Sequence, residues 1–493
     1  MRILFYSRGF EQIGIEYLSA VLKRAGHDVE LVFDPGFDDN TYVRLPFLKM
    51  LNREDRMIRR AREFAPDLIG FSCLSNLYPY ISRMAGILKR ETGAPVAVGG
   101  PHPSALPEFI LSDKNVDMVC VGEAEDAVLE LMERMEKGDD YLNTRNFWFK
   151  SNGKIVSNPV RPLHETLDDL PLPDREIYAG TGVFRRTFMV ITSRGCPFNC
   201  SYCTHAFQRT LYKEHGYPIR RRSVSNVMEE LLLYKQKYRA AFICFEDDDF
   251  ASSLSWLEAF SERYSKEIGL PFYCLTSPAQ TSEKKVMLLK RAGCRELFMG
   301  IDSGSETIRR DRLNRKFTNR ELIQAARRIQ DAGINLRCTA MFGIPDETPD
   351  EMLETIDLVT RIRPRFISTY TFYPYPRTKL FEYAREKGYI DKEIQQTIYS
   401  GKGSLRGISL LKLPHKKLAL VFTHVLPLSN RLPRSWQPTV LSLCRHEQLY
   451  RVSFLFYYLF IPVTYPSIGL LRMRDMMHFM WKSLRPLRKS DKV

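Results

Sequence analysis

Thr192-Ser193-Arg194-Gly195-Cys196-Pro197-Phe198-Asn199-Cys200-Ser201-Tyr202-Cys203 sets three cysteines on one short loop in the spacing C-x3-C-x2-C. The apolar run Phe188–Ile191 just before it reads as a strand, so the loop leaves a strand end. Three thiolates this close can ligate three irons of a [4Fe–4S] cube and leave the fourth iron open to a small molecule. Zinc is the competing reading. A structural zinc wants four ligands, and His205 would have to supply the fourth.

Downstream of the loop, strand and helix signals alternate. Strands are expected at Phe188–Ile191, Ala241–Phe245, Phe272–Thr276, Glu296–Met299, Asn335–Met341 and Phe366–Phe372, with helices between. Such steps imply an open or partial (β/α)6 barrel over residues 185–394, with its site at the strand C-termini. Upstream, residues 1–150 alternate in the same way. Arg2–Tyr6, Val29–Phe33, Leu68–Cys73, Val96–Val98 and Val116–Val121 read as strands; Ile13–Ala25, Tyr80–Thr92 and Asp126–Met135 read as helices. That pattern implies βαβ units in a doubly wound parallel sheet. Residues 151–184, with Asn152-Gly153 as a hairpin turn and Pro171-Leu172-Pro173-Asp174 as a stiff connector, read as a linker. The fold class is therefore α/β, two such domains followed by a C-terminal region over 395–493.

Composition is that of a globular chain, 44% hydrophobic and 27% charged. The N-terminal apolar run turns polar at once, which fits a first strand of a cytoplasmic protein rather than a secretory signal. Cys73, Cys120, Cys244, Cys274, Cys294, Cys338 and Cys444 are scattered through apolar surroundings and read as buried reduced thiols. The formal charge of +15 is concentrated: residues 401–493 hold 16 Lys and Arg against 3 Asp and Glu. Basic charge within a hydrophobic, aromatic tail points to an anionic membrane surface more than to nucleic acid. Val452–Leu471 runs twenty residues without a charge but is broken by Pro462 and Pro466. It is expected to be an interfacial or re-entrant anchor, with a buried helix or a true span as the alternatives. Arg472, Arg474, Lys482, Arg485, Arg488, Lys489 and Lys492 beside Trp481 fit an interfacial helix, and Leu410–Lys417 is similar in character.

The segment Gly195–Cys203, with an aromatic Tyr202 before the last cysteine, resembles the signature of the radical S-adenosylmethionine (SAM) superfamily. The resemblance implies that the open iron chelates SAM, whose reductive cleavage yields a hydrogen-abstracting 5′-deoxyadenosyl radical. Later segments follow in the family's order. Phe245-Glu246-Asp247-Asp248-Asp249-Phe250 ends a strand with acids able to hold an ammonium group or ribose hydroxyls. Gly300-Ile301-Asp302-Ser303-Gly304-Ser305-Glu306 resembles the fourth-strand segment, where Glu is more usual than Asp302. Phe342-Gly343-Ile344-Pro345-Asp346-Glu347-Thr348 resembles the fifth-strand turn near adenine. Tyr373-Pro374-Tyr375-Pro376-Arg377-Thr378 resembles a closing segment that usually has Gly in place of Arg377. Tyr202, Asp247, Asp248, Asp302, Ser303 and Gly343 are thereby implied to contact SAM.

The first domain resembles the cobalamin-binding domain that precedes many radical SAM domains. Cys73-Leu74-Ser75, Gly99-Gly100-Pro101-His102 and Gly122-Glu123-Ala124-Glu125-Asp126 carry the likeness. It implies that Ser75, Gly99, Gly100, Gly122 and Glu123 line a cobalamin site. The glycines would let backbone approach the ligand. Arg8-Gly9-Phe10-Glu11-Gln12-Ile13-Gly14 has no His for cobalt, and His102 is given no metal role. The chain thus looks like a class B radical SAM methyltransferase. The implied activity is C-methylation of an unactivated carbon in a hydrophobic or lipid substrate. Ring formation or C–C coupling without methyl transfer, and tRNA modification, are the alternatives. The implied cofactors are a [4Fe–4S] cluster, SAM and cobalamin; the implied partners are an electron donor such as flavodoxin or ferredoxin and the inner face of the cell membrane. No catalytic acid or base is legible.

Overall fold

The computed structural model describes residues 1–36, 54–181, 183, 186–216, 219–403, 407–433, 435–436 and 446–453. Two parallel sheets organise them. The first contains β1 (Arg2–Arg8), β2 (Asp28–Asp34), β3 (Leu68–Ser72), β4 (Val96–Gly99), β5 (Met118–Cys120), β6 (Phe147–Ser151) and β7 (Lys154–Ser157). Its order is β2-β1-β3-β4-β5-β6-β7, parallel through β5 and antiparallel beyond. Ile3, Leu4, Phe5 and Tyr6 of β1, which is paired on both sides, are all at most 4% exposed, because helices cover both faces. The helix Tyr78–Thr92 stops at Gly93, which takes φ +75° as a left-handed cap. A further helix, Glu54–Phe64, buries only Met57 and Ala61, too thin an apolar stripe to read from the sequence.

Asn152 and Gly153 take φ +49° and +73° and join β6 to β7 as the expected hairpin turn. That hairpin continues the first sheet, so the connector begins only after Ser157 rather than at residue 151.

The second sheet begins at β8 (Thr187–Val190). A two-residue bridge pairs β9 (Ser193–Arg194) with β10 (Arg220–Arg221), after which come β11 (Phe242–Phe245), β12 (Phe272–Leu275), β13 (Cys294–Asp302), β14 (Asn335–Phe342) and β15 (Phe366–Thr371). The order β15-β14-β13-β12-β11-β8, parallel throughout, is the open six-stranded barrel expected. Phe245, Phe250 and Phe272 pack edge-on or tilted against Phe260 and Tyr264 of the outer helix Leu254–Glu267, all fully buried.

The barrel does not end at residue 394. The helix Lys416–Ser429 lies on β14 and β15, burying Leu418, Ala419, Val421, Phe422, Val425 and Leu426, and Thr369 Oγ1 donates to Thr423 O at 2.5 Å. It is the sixth outer helix. Leu411 and Leu413, in the stretch read as interfacial, are 0% and 8% exposed and pack against the barrel instead. Their hydrophobicity serves the core, which the local pattern alone cannot distinguish from a membrane-facing surface. Among the described residues no helix is long and apolar enough to cross a membrane. Cys444, the basic residues from Arg472 to Lys492, Trp481 and almost all of Val452–Leu471 lie outside the described residues.

Candidate active site

Cys196, Cys200 and Cys203 are free thiols, each half-buried, on the loop after β9. The loop is fixed from several sides. Ser201 N donates to Leu313 O at 3.1 Å, Leu380 N donates to Ser201 O at 2.9 Å, and Asn314 Nδ2 donates to Asn199 O at 2.7 Å. Arg209 donates to Cys196 O. Burial pushes the Cys196 thiol up to about 12 and Cys203 to about 11; Cys200 is raised by burial too, against the pull of the nearby Arg315 guanidinium. Metal binding must displace these protons. Among the described residues no three His, Cys, Asp or Glu side chains are already gathered at metal-binding spacing. The donor set, three soft sulfurs on one braced loop, fits iron–sulfur ligation.

Beside the loop, Tyr202 OH donates to Asp302 Oδ2 at 2.9 Å and Arg315 Nη1 pairs with the same oxygen at 2.9 Å. Asp302 takes φ +65°, where β13 shifts register between Gly300 and Asp302. A left-handed aspartate at a strand end costs on the order of 1 kcal/mol and is held by its surroundings. That geometry turns its carboxylate toward both partners. Burial raises Tyr202 well above the usual phenol range. Arg315 was not singled out by the sequence. Its only signal was a basic residue nine positions beyond the fourth-strand segment.

The other expected SAM contacts divide. Asp247 is 0% exposed and accepts from Thr192 N at 3.1 Å, from Thr192 Oγ1 at 2.7 Å and from Ser193 Oγ. It braces the junction of β8 and the cysteine loop. Ser303 is likewise 0% exposed, its Oγ accepting from Ser305 N at 3.2 Å. In both, a strand-end oxygen holds the next turn, a duty as open to it as holding a ligand. Asp248 stays partly exposed and pairs with His205 Nε2 at 2.7 Å. Gly343, at φ +75°, donates its N–H to Glu347 Oε2 at 2.7 Å. Glu347 is 5% exposed, and burial pushes its carboxyl up to about 8. The turn borders a cavity of about 270 Å³ lined also by Met352, Tyr389 and Leu413. Arg377 takes φ +64°, which explains why its family position usually holds Gly, and its Nε donates to Ala105 O at 3.2 Å in the first domain.

In the first sheet the order reverses between β1 and β3, the crevice where such sheets bind ligands. The loops leaving those strands expose Phe10 (42%) and Leu74 (38%), an apolar pair suited to a flat macrocycle. Ser75 and Gly99 are half-buried at the same edge. Gly100, Gly122 and Glu123 have other duties. A Cβ on Gly100, at φ +110°, would stand 2.8 Å from Cys73 O, so the glycine admits a neighbouring backbone. The Tyr212 hydroxyl occupies the space a Cβ would need at Gly122. The Glu123 carboxylate is taken by Arg194, at 3.0 Å, and by Arg220. His102 is buried with Nε2 3.0 Å from Tyr399 O.

Comparison with known proteins agrees with this geometry. Residues 190–359 match the radical SAM superfamily and residues 9–132 the B12 binding domain. An uncharacterized methyltransferase of Pyrococcus horikoshii is 29% identical over 381 residues, 76% of this chain and 78% of that protein. The solved cobalamin-dependent SAM radical enzyme OxsB with aqua-cobalamin bound superposes with a TM-score of 0.67 at 16% identity, covering 98% of this chain and 76% of that one. The radical SAM methyltransferase TsrM from Kitasatospora setae, bound to tryptophan and a SAM analogue, gives 0.63 at 18% identity over 78% of this chain and 76% of that one. The chain is an enzyme that carries a B12-binding domain ahead of a radical SAM domain, and its cofactors are a [4Fe–4S] cluster, SAM and cobalamin.

Proposed function

We propose that this enzyme methylates an unactivated carbon of a hydrophobic, lipid-like substrate at a membrane surface, drawing electrons from a flavodoxin or ferredoxin. One observation carries the methyl-transfer half. The C-terminal edges of the two sheets are joined by the ion pairs of Arg194 with Glu123 and Glu125, which bring the cysteine loop beside the ligand-binding edge of the first sheet. The named methyltransferase relative supports the same reaction class. The lipid half rests on the uncharged run 452–471 and the basic charge of the last hundred residues.

When bound, the cluster with SAM supplies hydrogen-atom abstraction and cobalamin supplies a transferable methyl group. Cys196, Cys200 and Cys203 would hold the cluster. Tyr202, Asp302 and Arg315 form a fixed polar wall beside it. Asp248 with His205 offers a partly exposed acceptor at the end of β11 for an ammonium or hydroxyl group. Ser75 and Gly99, with Phe10 and Leu74, would face the macrocycle.

The test uses the full chain, purified without oxygen and reconstituted with iron and sulfide. It is given methyl-deuterated SAM, a low-potential reductant and a membrane lipid extract. The proposal expects lipid carrying the intact CD3 group, with S-adenosylhomocysteine and 5′-deoxyadenosine formed in about equal amounts. 5′-Deoxyadenosine without S-adenosylhomocysteine or label would refute methyl transfer. Label confined to water-soluble molecules would refute the lipid substrate.

A further inference from the structure

Both ends of the segment carrying the three cysteines are tied to the same four residues of the first domain. Arg194, two residues before Cys196, donates to Glu123 Oε2 at 3.0 Å and to Glu125 Oε1 at 2.6 Å, with its guanidinium over the Tyr17 ring. Arg220, paired across the β9–β10 bridge with Arg194, puts both terminal nitrogens on the Glu123 carboxylate and is itself 3% exposed. Between them Tyr212, just beyond the helix that follows Cys203, fills the space above Gly122 and accepts the Glu123 N–H at 2.8 Å. The four residues Gly122–Glu125 leave the end of β5, on the edge that holds the cobalamin crevice.

We infer that Glu123 is a positioning residue. It fixes the separation between the cluster loop and the cobalamin edge, and it is not a cobalamin ligand. The chemistry supports this division. A carboxylate shared by two guanidiniums, one of them through a fork of two N–H groups, is directional in a way a single surface pair is not. Arg220, 3% exposed, cannot leave this carboxylate without becoming an uncompensated buried cation, whereas Arg194 would keep Glu125. The 3.0 Å and 2.8 Å contacts engage the Glu123 side chain and backbone at once, so the loop cannot slide along the seam. Methyl transfer between two bound cofactors and one substrate depends on reacting atoms being held within a narrow range of distance, and this clamp, next to the cysteines, is placed to act on that range.

The experiment compares wild-type enzyme with Glu123→Gln and with the milder Tyr212→Phe, which keeps the ring above Gly122 and removes its hydrogen-bond acceptor. Each is purified anaerobically with cobalamin and reconstituted cluster. Cofactors per chain are counted by absorbance and iron analysis. The cobalt(II)-to-cluster distance distribution is then read by pulsed EPR of the reduced sample. Positioning predicts cofactor contents equal to wild type in both variants. It also predicts a broadened or lengthened distance distribution, larger for Glu123→Gln than for Tyr212→Phe. Loss of cobalamin from Glu123→Gln with retained iron, and normal content in Tyr212→Phe, would make Glu123 a ligand and overturn the inference. An unchanged distribution in both variants would overturn it as well. Should Glu123→Gln fail to fold, Tyr212→Phe decides by the same readout.

Discussion

Glu347 offers a sharp test of how burial shapes the β14 turn. Its Oε2 accepts from Gly343 N at 2.7 Å and Ile344 N at 3.2 Å, while Oε1 is buried with no hydrogen-bond partner. Desolvation dominates, helped by the negative charge of Glu351, and the carboxyl is pushed up to about 8 from the ordinary 4.5. At neutral pH the folded chain therefore keeps it protonated, whereas the unfolded chain ionises it. A folded value above the unfolded one gives stability that is complete below about pH 4.5 and lost as pH rises through about 8. At 1.36 kcal/mol per pH unit of difference, the loss is about 3 kcal/mol at pH 7 and approaches 5 kcal/mol by pH 9. Glu347→Gln keeps an acceptor for both N–H groups and cannot ionise. Thermal unfolding of the metal-free chain under reducing conditions, repeated from pH 5 to pH 9, should show the variant and wild type nearly equal at the acid end. The variant should pull ahead by roughly 5–15 °C at pH 8, for a cooperative unit of ~150–250 residues. A gap that stays constant with pH, or one that closes as pH rises, would refute the reasoning.

Three other outcomes are expected. Alanine at each of Cys196, Cys200 and Cys203 should abolish the reconstituted cluster's visible absorbance and 5′-deoxyadenosine formation while far-UV circular dichroism stays that of wild type, because each thiol lies on a half-buried loop outside the core. Asp302→Asn should weaken SAM binding about 10-fold or more, since losing the anion between Tyr202 and Arg315 removes charged hydrogen bonds worth ~1.5–3 kcal/mol; calorimetric titration of the reconstituted enzyme would show it, and an unchanged affinity would remove Asp302 from the site. Leu411→Ala should destabilise the chain by about 2–5 kcal/mol, as a fully buried leucine does, and denaturation with and without lipid vesicles should give the same loss; recovery on vesicles would restore the interfacial reading of that stretch.

The sequence by itself determined the parts that are local. The C-x3-C-x2-C spacing puts three sulfurs on one loop whatever surrounds it, and the 2.0- and 3.6-residue periods laid out both sheets nearly strand for strand. The Asn152-Gly153 turn was legible because only a few residue types accept its positive φ. Tertiary structure decided everything that depends on partners far along the chain. Glu123 meets Arg194 and Arg220 across 71 and 97 residues, and Tyr202 meets Asp302 across 100. Asp247 and Asp248 are neighbours in sequence, yet one is sealed under Thr192 and Ser193 and the other faces outward with His205. Adjacent residues on a strand end point to opposite sides, so their identities were written in the sequence but their roles were not. Leu411 and Leu413 show the same limit in apolar form: hydrophobicity says that a side chain leaves water, and only the fold says what it packs against.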